Sequence, residues 1–404
     1  MTHLLLRNPQ SPGDIVMLTA AVRELHRAFP GEYQTWVETR CPELWFHNPY
    51  LTKLDAADPV VRVIDCHYPA INHSNRVPKH FLWGFVQHLG EQLGVRLEPT
   101  EFRGDIHLSE KETRTIPQVM EATGADLPYW IIGAGGKYDY TIKWWATERW
   151  QAVVDAFKGR IVFVQVGESG HHHPALQNVI DLRGRTTLRQ LVRLVHHAAG
   201  VLCPVTCLMH LAAAVPVRSG RPKKRACVVV AGGREPVGWV EYPQHRFLHT
   251  GGALRCCDNG GCWKARTVPL GDGDEKDAPS RLCVQPVIAR DEGTTDCTDG
   301  HGFSNKASEK SVSSVVPNSA FESMPPSSST MLPRCMDMIT AADVVRAVGS
   351  YYEGGALEFI SAEQWERAIT AGVDYTAKTP TLPPRPAQRP SQPTKKRCTA
   401  AGCC

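Results

Sequence analysis

Long apolar runs are missing from this sequence. The first apolar stretch, Leu4-Leu5-Leu6, ends at Arg7, which predicts a short buried strand rather than a secretory leader. No other apolar segment approaches the roughly 18 to 20 residues that are needed to span a bilayer. We therefore expect a cytoplasmic protein without a transmembrane segment, in which cysteines stay reduced.

The sequence also has little excess charge of either sign. Its 45 basic and 41 acidic residues leave a formal net charge of +4 over 404 residues. The basic residues are spread along the chain, except for a cluster at 221–225 and a basic C-terminal end. A surface that binds nucleic acid is normally more basic, so we expect no nucleic-acid partner. The mild positive charge suits a phosphorylated or nucleotide substrate.

Two series of alternating strand-like and helix-like segments occupy the first 250 residues. In the first series, a helical apolar pattern over 14–29 follows a strand at 4–7 and ends at Pro30-Gly31. This alternation predicts an α/β protein with two doubly wound, Rossmann-like domains that face a ligand-binding cleft. The remaining predicted segments are strands at 33–37, 61–64, 130–132, 161–166 and 201–202, and helices at 81–93, 145–157, 188–199 and 208–215.

The composition changes after Gly251. Residues 251–285 are rich in Cys, Gly and Asp, and residues 291–330 are rich in Ser, Thr, Asn and Pro with few aliphatics. Helical patterning returns at 339–348 and 362–371. The predicted units are two Rossmann-like domains at 1–120 and 121–250, a Cys-rich metal finger at 251–290, a disordered insertion at 291–330, the finger closure with C-terminal helices at 331–375, and a disordered tail at 376–404.

The fourteen cysteines are unevenly distributed. A Cys-Cys pair and a third cysteine flank an Asn-Gly-Gly turn, and two further cysteines would approach them if the 291–330 insertion loops out. Four thiolates form a closed tetrahedral site for zinc or iron, so we predict a structural metal and no catalytic one. Ordinary buried or exposed thiols are the alternative. The predicted ligands are Cys257, Cys262, Cys283 and Cys335, with Cys256 as a substitute for Cys257.

Three segments in this order resemble the heptosyltransferases of glycosyltransferase family 9. They are Gly-Asp and an apolar helix at 13–23 closing on Phe29-Pro30, Lys-x-Trp-x-x-Glu-x-Trp at 143–150, and Asp-Leu-Arg-Gly-Arg-Thr-Thr-Leu at 181–188 leading to 206–214. The cysteine segment resembles the autotransporter-type branch, which carries an iron finger held by four cysteines. The resemblance implies a GT-B fold, a bacterial enzyme that uses ADP-heptose, iron rather than zinc, and no catalytic divalent ion.

The first two motifs contain the main candidates for catalysis. From its spacing alone, Asp14 is a helix-capping residue, although a carboxylate there can also accept the proton of a sugar hydroxyl. The resemblance gives the matching aspartate the role of catalytic base. Lys143 precedes a helix, where a cation can offset charge on a leaving diphosphate. A solvated surface lysine is the alternative. Thr141 is a weaker candidate for the same phosphate contact.

The second domain supplies the other donor contacts. Glu168 follows a strand where the family has an acidic residue that resembles a ribose binder. Thr206 and His210 open a helix whose free amides can hold phosphate, although a core or capping histidine is the alternative. The family pattern Asp-Ser/Thr-Gly-x-x-His reads Val-Thr-Cys-Leu-Met-His at 205–210, so the Asp and the Gly are absent. The predicted donor contacts are Lys143, Thr141, Glu168, Thr206, Met209 and His210.

One remaining motif is expected to be structural. Three consecutive histidines at 171–173 cannot all point to one side, so they predict an exposed loop rather than a metal site.

Together these features predict an inverting transferase. Asp14 would deprotonate the acceptor hydroxyl, while Lys143 would stabilise the departing ADP. The first domain would bind the acceptor, either a serine of a surface protein or a lipid-linked saccharide such as the lipopolysaccharide core, and the second domain the donor. The resemblance is also consistent with a homo-oligomer, and with attachment to the inner membrane as an alternative to a free cytoplasmic location.

Two other functions remain open at this point. A sugar-nucleotide epimerase of the same fold would release an isomerised sugar without an acceptor. A non-catalytic, metal-stabilised binding protein is the other alternative, and the altered residues Val205 and Cys207 favour it.

Overall fold

A computed structural model describes residues 1–289 and 331–384. The predicted insertion at 291–330 and residues 385–404 of the predicted tail lie outside the described residues. The described chain folds into two parallel sheets flanked by helices, which confirms the predicted α/β class. In these parts of the chain, no helix is both long enough and apolar enough to cross a membrane.

The first sheet has three parallel strands and lies against a pair of helices. Leu4, Leu5 and Leu6 are completely buried in its central strand, which explains why the run is apolar without alternation. The elements are β1 (Thr2–Asn8), α1 (Pro12–Ala28), β2 (Tyr33–Thr39), β3 (Val61–Asp65), α2 (Phe81–Leu93), α3 (Glu110–Arg114) and α4 (Gln118–Thr123). The strand order is β2-β1-β3, and α1 packs on α2.

The second sheet has six parallel strands and completes the two-sheet architecture. Its elements are β4 (Tyr129–Ile132), α5 (Thr147–Ala156), β5 (Val162–Gln165), β6 (Ile180–Asp181), α6 (Leu188–His197), β7 (Gly200–Pro204), α7 (Cys207–Ala214), β8 (Ala226–Gly232), α8 (Val237–Val240) and β9 (Arg246–His249). The strand order is β6-β5-β4-β7-β8-β9. Sequence analysis missed β8, an apolar run whose seven residues are all buried.

Two short strands close the gap that the insertion creates. Strand β10 (Pro286–Ile288) pairs antiparallel with β11 (Met331–Pro333), with Pro286 opposite Pro333. This pairing brings together the chain on either side of 290–330. Cys283 and Cys335, which flank the two strands, are therefore held near each other, as expected if the insertion loops out.

The C-terminal part of the described chain packs against the second sheet. Its elements are α9 (Arg334–Asp337), α10 (Ala341–Glu353) and α11 (Ala362–Lys378). Residues 376–378 belong to α11, so the prediction that disorder begins at 376 is wrong. The helix continues because Gly372 packs against Ile180, and the Thr376 hydroxyl donates to the Asp181 carbonyl at 3.0 Å. The division into units remains a prediction.

Candidate active site

A cleft of about 670 Å³ lies between the two sheets. It is bordered by the N-terminus of α1 on one side and by loops that follow β4, β5, β7 and β8 on the other. This is the position where ligands bind in parallel α/β folds. The predicted site residues that line it are Asp14, Lys143, Glu168, Thr206 and His210.

Asp14 is the third residue of α1 and is only 6% exposed. Its Oδ2 accepts the backbone N–H of Ser11 at 3.1 Å and the hydroxyl of Tyr68 at 3.2 Å. Burial raises the pKa of Asp14 to about 6, and these two hydrogen bonds limit the rise. Asp14 therefore forms a hydrogen bond at the start of α1 and also borders the cleft. The two sequence-based interpretations, helix cap and catalytic base, are compatible. A carboxylate with this pKa is suited to general-base chemistry near neutral pH.

Lys143 is directed into the cleft rather than into solvent. Its Nζ lies 2.6 Å from Oε1 of Glu235 and donates to the carbonyl of Val205 at 3.2 Å. Burial lowers the pKa of Lys143, while the Glu235 carboxylate opposes this shift. The geometry does not match a solvated surface lysine.

Sequence analysis missed several charged or polar residues of the cleft, among them Tyr68, Arg234 and Glu235. Arg234 and Glu235 lie two and three residues after the end of β8, and Tyr68 lies three residues after the end of β3. Arg234 donates from Nη1 to Glu235, so the carboxylate contacts both this guanidinium and Lys143. A usable signal for the pair existed, because an Arg-Glu dipeptide at the carboxyl end of an apolar strand lies where such folds bind ligands.

Thr206 and His210 lie at the start of α7. Thr206 is the residue before the helix, and His210 is 5% exposed. The Nδ1 of His210 lies 2.9 Å from the Tyr242 hydroxyl, and a Cβ at Gly13 would lie 3.0 Å from the imidazole Cδ2. Burial lowers the pKa of His210 far below its usual value, and His80 and Lys143 add to this effect. His210 is therefore neutral and links α7 to α1.

Glu168 lies on the loop after β5. Its Oε2 is 3.5 Å from Nδ1 of His171. The histidines at 171–173 are half-buried, so the prediction of an exposed loop is wrong. The loop is held inward because His172 stacks on Trp144 at 3.9 Å between ring centroids and pairs through its backbone with Gly136.

Two of the predicted donor contacts, Thr141 and Met209, are not among the described residues that line this cleft. The Thr141 hydroxyl accepts the backbone N–H of Thr267 at 2.9 Å. This hydrogen bond joins the loop after β4 to the Cys-rich residues 251–289. Met209 lies on the side of α7 that faces the core and is completely buried. Its side chain points away from the cleft because successive residues of a helix face different directions.

The cysteine segment, residues 251–289, surrounds a second, smaller cavity. Gly233 borders it, and a Cβ on Gly233 would lie 3.0 Å from the Cys257 sulfur. The five cysteines that line this cavity are Cys256, Cys257, Cys262, Cys283 and Cys335. Across residues 1–289 and 331–384, however, no group of three or more His, Cys, Asp or Glu is spaced to hold a metal ion. The described residues therefore do not show the predicted tetrahedral arrangement of four thiols, although these cysteines line one cavity.

A known protein family matches part of this chain. Residues 68–219 match the family model for glycosyltransferase family 9 (heptosyltransferase). The match includes Lys143, Glu168, Thr206 and His210 but begins after Asp14. The resemblance to this family is confirmed over these residues, and the chain is a glycosyltransferase. A comparison with curated proteins finds no match.

Several solved structures of glycosyltransferases are similar to parts of this chain. The iron-containing dodecameric glycosyltransferase TibC from enterotoxigenic E. coli is 14% identical, with a TM-score of 0.51 over 87% of this chain and 76% of that chain. A family 9 glycosyl transferase from Veillonella parvula is 16% identical, with a TM-score of 0.47 over 62% and 85%. E. coli ADP-heptose lipopolysaccharide heptosyltransferase II is 14% identical, with a TM-score of 0.44 over 62% and 90%. The likeness to TibC shows the GT-B fold alone.

Proposed function

We propose that this glycosyltransferase transfers heptose from ADP-heptose to a hydroxyl acceptor with inversion at the anomeric carbon. The observation that carries the proposal is the arrangement around one cleft. Asp14 approaches from the first sheet, and Lys143 and the start of α7 approach from the second. The match to a heptosyltransferase family supports heptose as the transferred sugar.

In the proposed mechanism, Asp14 accepts the proton of the acceptor hydroxyl while that oxygen attacks the anomeric carbon. Its raised pKa, about 6, keeps it ionised at neutral pH yet basic enough to take the proton. Lys143 and the backbone amides at the start of α7 offset the charge that grows on ADP as the bond breaks. A single displacement of this kind inverts the configuration at the anomeric carbon.

The rest of the donor fits the second domain. Glu168 offers a carboxylate to the ribose hydroxyls, and Thr206 offers a hydroxyl near the phosphates. Leu188 and Leu191, on the first turn of α6, give the cleft an apolar wall against which a base can pack.

We propose a serine of a surface protein as the acceptor, because the cysteine segment resembles the autotransporter-type branch. A lipopolysaccharide core sugar is the alternative. The two are distinguished by mass spectrometry of products after incubation with each acceptor class.

We also propose that the gathered cysteines hold a structural metal, with iron favoured over zinc. Thiolates are soft donors that suit both metals, and Cys257, Cys262, Cys283 and Cys335 line one cavity. A bound metal would tie the chain on both sides of the insertion to the end of β8. No step of the transfer reaction depends on it.

The donor assignment is tested by calorimetric binding of ADP-heptose to the wild type and to Lys143→Ala. We expect the variant to bind about 10- to 100-fold more weakly, because a charge-assisted contact contributes about 1.5–3 kcal/mol. Lys158→Ala removes an exposed lysine and should bind like the wild type. If the folded wild type binds no nucleotide sugar, the transferase proposal fails. Conversion of the donor without an acceptor would instead identify an epimerase.

A further inference from the structure

Arg234 lies in the same cleft, two residues after the end of β8, and no step above uses it. The residue is only 8% exposed, so its charge is held away from most of the solvent. Burying a guanidinium costs free energy unless the group is paired or binds a ligand. Its neighbours indicate which kind of ligand it is placed to bind.

Arg234 and Lys143 converge on a single carboxylate oxygen. The Nζ of Lys143 lies 2.6 Å from Oε1 of Glu235, and Nη1 of Arg234 donates to that same oxygen. Both cations also face the ring of Tyr140, with Nζ of Lys143 5.7 Å and the guanidinium carbon of Arg234 4.8 Å from its centroid. One carboxylate neutralises only one of these two positive charges.

The guanidinium is held in a fixed orientation from its other side. Nε donates to the carbonyl of Lys264 at 2.7 Å, and the group lies 5.4 Å from the ring centroid of Trp263. The indole N–H of Trp263 donates in turn to Asn75 in the first domain at 2.6 Å. The bonds to Lys264 and Glu235 use two of the five N–H donors of the guanidinium, and they fix the direction of the other three.

We propose that Arg234 is a second diphosphate-binding cation beside Lys143, and that Glu235 holds the two cations together until a diphosphate replaces it. The inference rests on the proposed function, because the diphosphate is that of the nucleotide-sugar donor. A diphosphate presents several anionic oxygens, so it can contact both cations at once. The planar guanidinium binds phosphate oxygens in pairs, which a lysine cannot do.

Glu235 has a testable part in this arrangement. As an anion on the same two cations, it competes with the incoming diphosphate. Glu235→Gln keeps the shape of the side chain and removes the charge, so we expect it to bind ADP several-fold more tightly than the wild type.

The test is calorimetric titration of ADP, inorganic pyrophosphate and adenosine into the full chain. We expect Arg234→Gln to bind ADP and pyrophosphate about 10- to 100-fold more weakly, the loss of one charge-assisted contact, and adenosine within about twofold of the wild type. Arg234→Lys, which keeps the charge but not the fork, should be intermediate and also serves if Arg234→Gln does not fold. Arg367→Gln, an exposed arginine of α11, is the matched control.

Each result separates the inference from the proposed function. ADP affinity within twofold of the wild type in folded Arg234→Gln and Arg234→Lys would overturn the role of Arg234 and leave the donor assignment intact. Weaker ADP binding by Glu235→Gln would overturn the replacement of Glu235. If the wild type binds pyrophosphate but does not bind ADP, the two-cation site stands and the nucleotide donor is refuted. Binding of neither would overturn both.

Discussion

At the scale of single residues, Asp14 combines a local structural role with a proposed catalytic one. It accepts the backbone N–H of Ser11 at the start of α1, and it borders the cleft as a buried carboxylate. Burial raises its pKa to about 6, so its ionised form is less stable in the folded chain than in the unfolded chain. In its proposed role as catalytic base, Asp14 would contribute to activity at the expense of stability.

Asp14→Asn should abolish transfer and leave donor binding intact. Loss of a general base lowers the rate by about 10²- to 10⁴-fold. In the wild type, kcat/KM should fall as the pH drops below about 6, where Asp14 becomes protonated. Retention of more than a tenth of the wild-type kcat by the asparagine variant would refute the role of base.

The same variant should be more stable than the wild type at pH 7. The folded state holds the Asp14 proton up to about pH 6, against a reference pKa of 3.8, so stability is lost as the pH rises through this window. Asparagine removes that loss, which amounts to up to about 3 kcal/mol. Thermal unfolding should show a higher Tm for Asp14→Asn at pH 7, with the gap closing near pH 4. A gap that does not change with pH would contradict this explanation.

At the scale of elements, the chain after α11 supports a loop on the proposed donor side of the cleft. The Leu382 N–H donates to the Gly184 carbonyl at 2.6 Å, and Nε of Arg185 donates to the Thr379 carbonyl at 3.0 Å. The Gly184 N–H in turn donates to the Gly167 carbonyl at 2.7 Å, next to Glu168. A short C-terminal segment is therefore connected to a predicted donor contact through two backbone hydrogen bonds.

A chain that ends after Lys378 should bind ADP-heptose several-fold more weakly, because the loop that carries Glu168 loses this support. A chain that ends after Pro384 keeps all of the described contacts and is the matched control. Titration of the donor into both truncated proteins measures the difference. Equal dissociation constants would show that the segment does not position the loop.

The cysteine segment is the other element that depends on distant partners. Cys283→Ser and Cys335→Ser should each lower metal content per chain and reduce thermal stability, because each removes a thiolate donor. Cys398→Ser, in the predicted tail, should leave both unchanged. Metal analysis of the purified variants is the measurement. Full metal content in both variants would show that Cys283 and Cys335 are not metal ligands.

At the scale of the whole molecule, an ion pair joins the two predicted domains. Arg189 of α6 donates from Nε and Nη2 to the two carboxylate oxygens of Glu112 of α3, at 2.5 Å each. Its Nη2 also donates to the carbonyl of His107. Burial raises the pKa of Glu112, but the bonds from Arg189 and Ser109 outweigh it and lower the pKa to about 2.

Arg189→Ala should lower the free energy of unfolding by about 1–3 kcal/mol, since it leaves Glu112 without its main partner. The stabilisation by Glu112 is present above its unfolded pKa, near 4.5, and is lost as the pH falls toward 2. The stability difference from the wild type should therefore be largest above pH 4.5. Arg96→Ala, which removes an exposed pair with Glu98, is the control and should change stability little. Similar losses in both variants would contradict a specific interdomain role.

The sequence by itself determined the parallel α/β class and most element positions. Helix α2 was predicted at its observed bounds, 81–93, and α1 was predicted within two residues at each end. Asp14, Lys143, Glu168, Thr206 and His210 were also selected from sequence and lie around one cleft. Such predictions succeed because apolar periodicity and the order of strands and helices are local properties.

The tertiary structure alone decided which side chains meet. Thr141 and Met209 turn toward Thr267 and the core, whereas Tyr68 reaches the cleft without any local motif that marks it. The partners of a side chain come from strands that lie next to each other in the sheet but far apart in sequence. The pKa of Asp14 has the same origin, because burial between two sheets sets it, and no short stretch of sequence contains that environment.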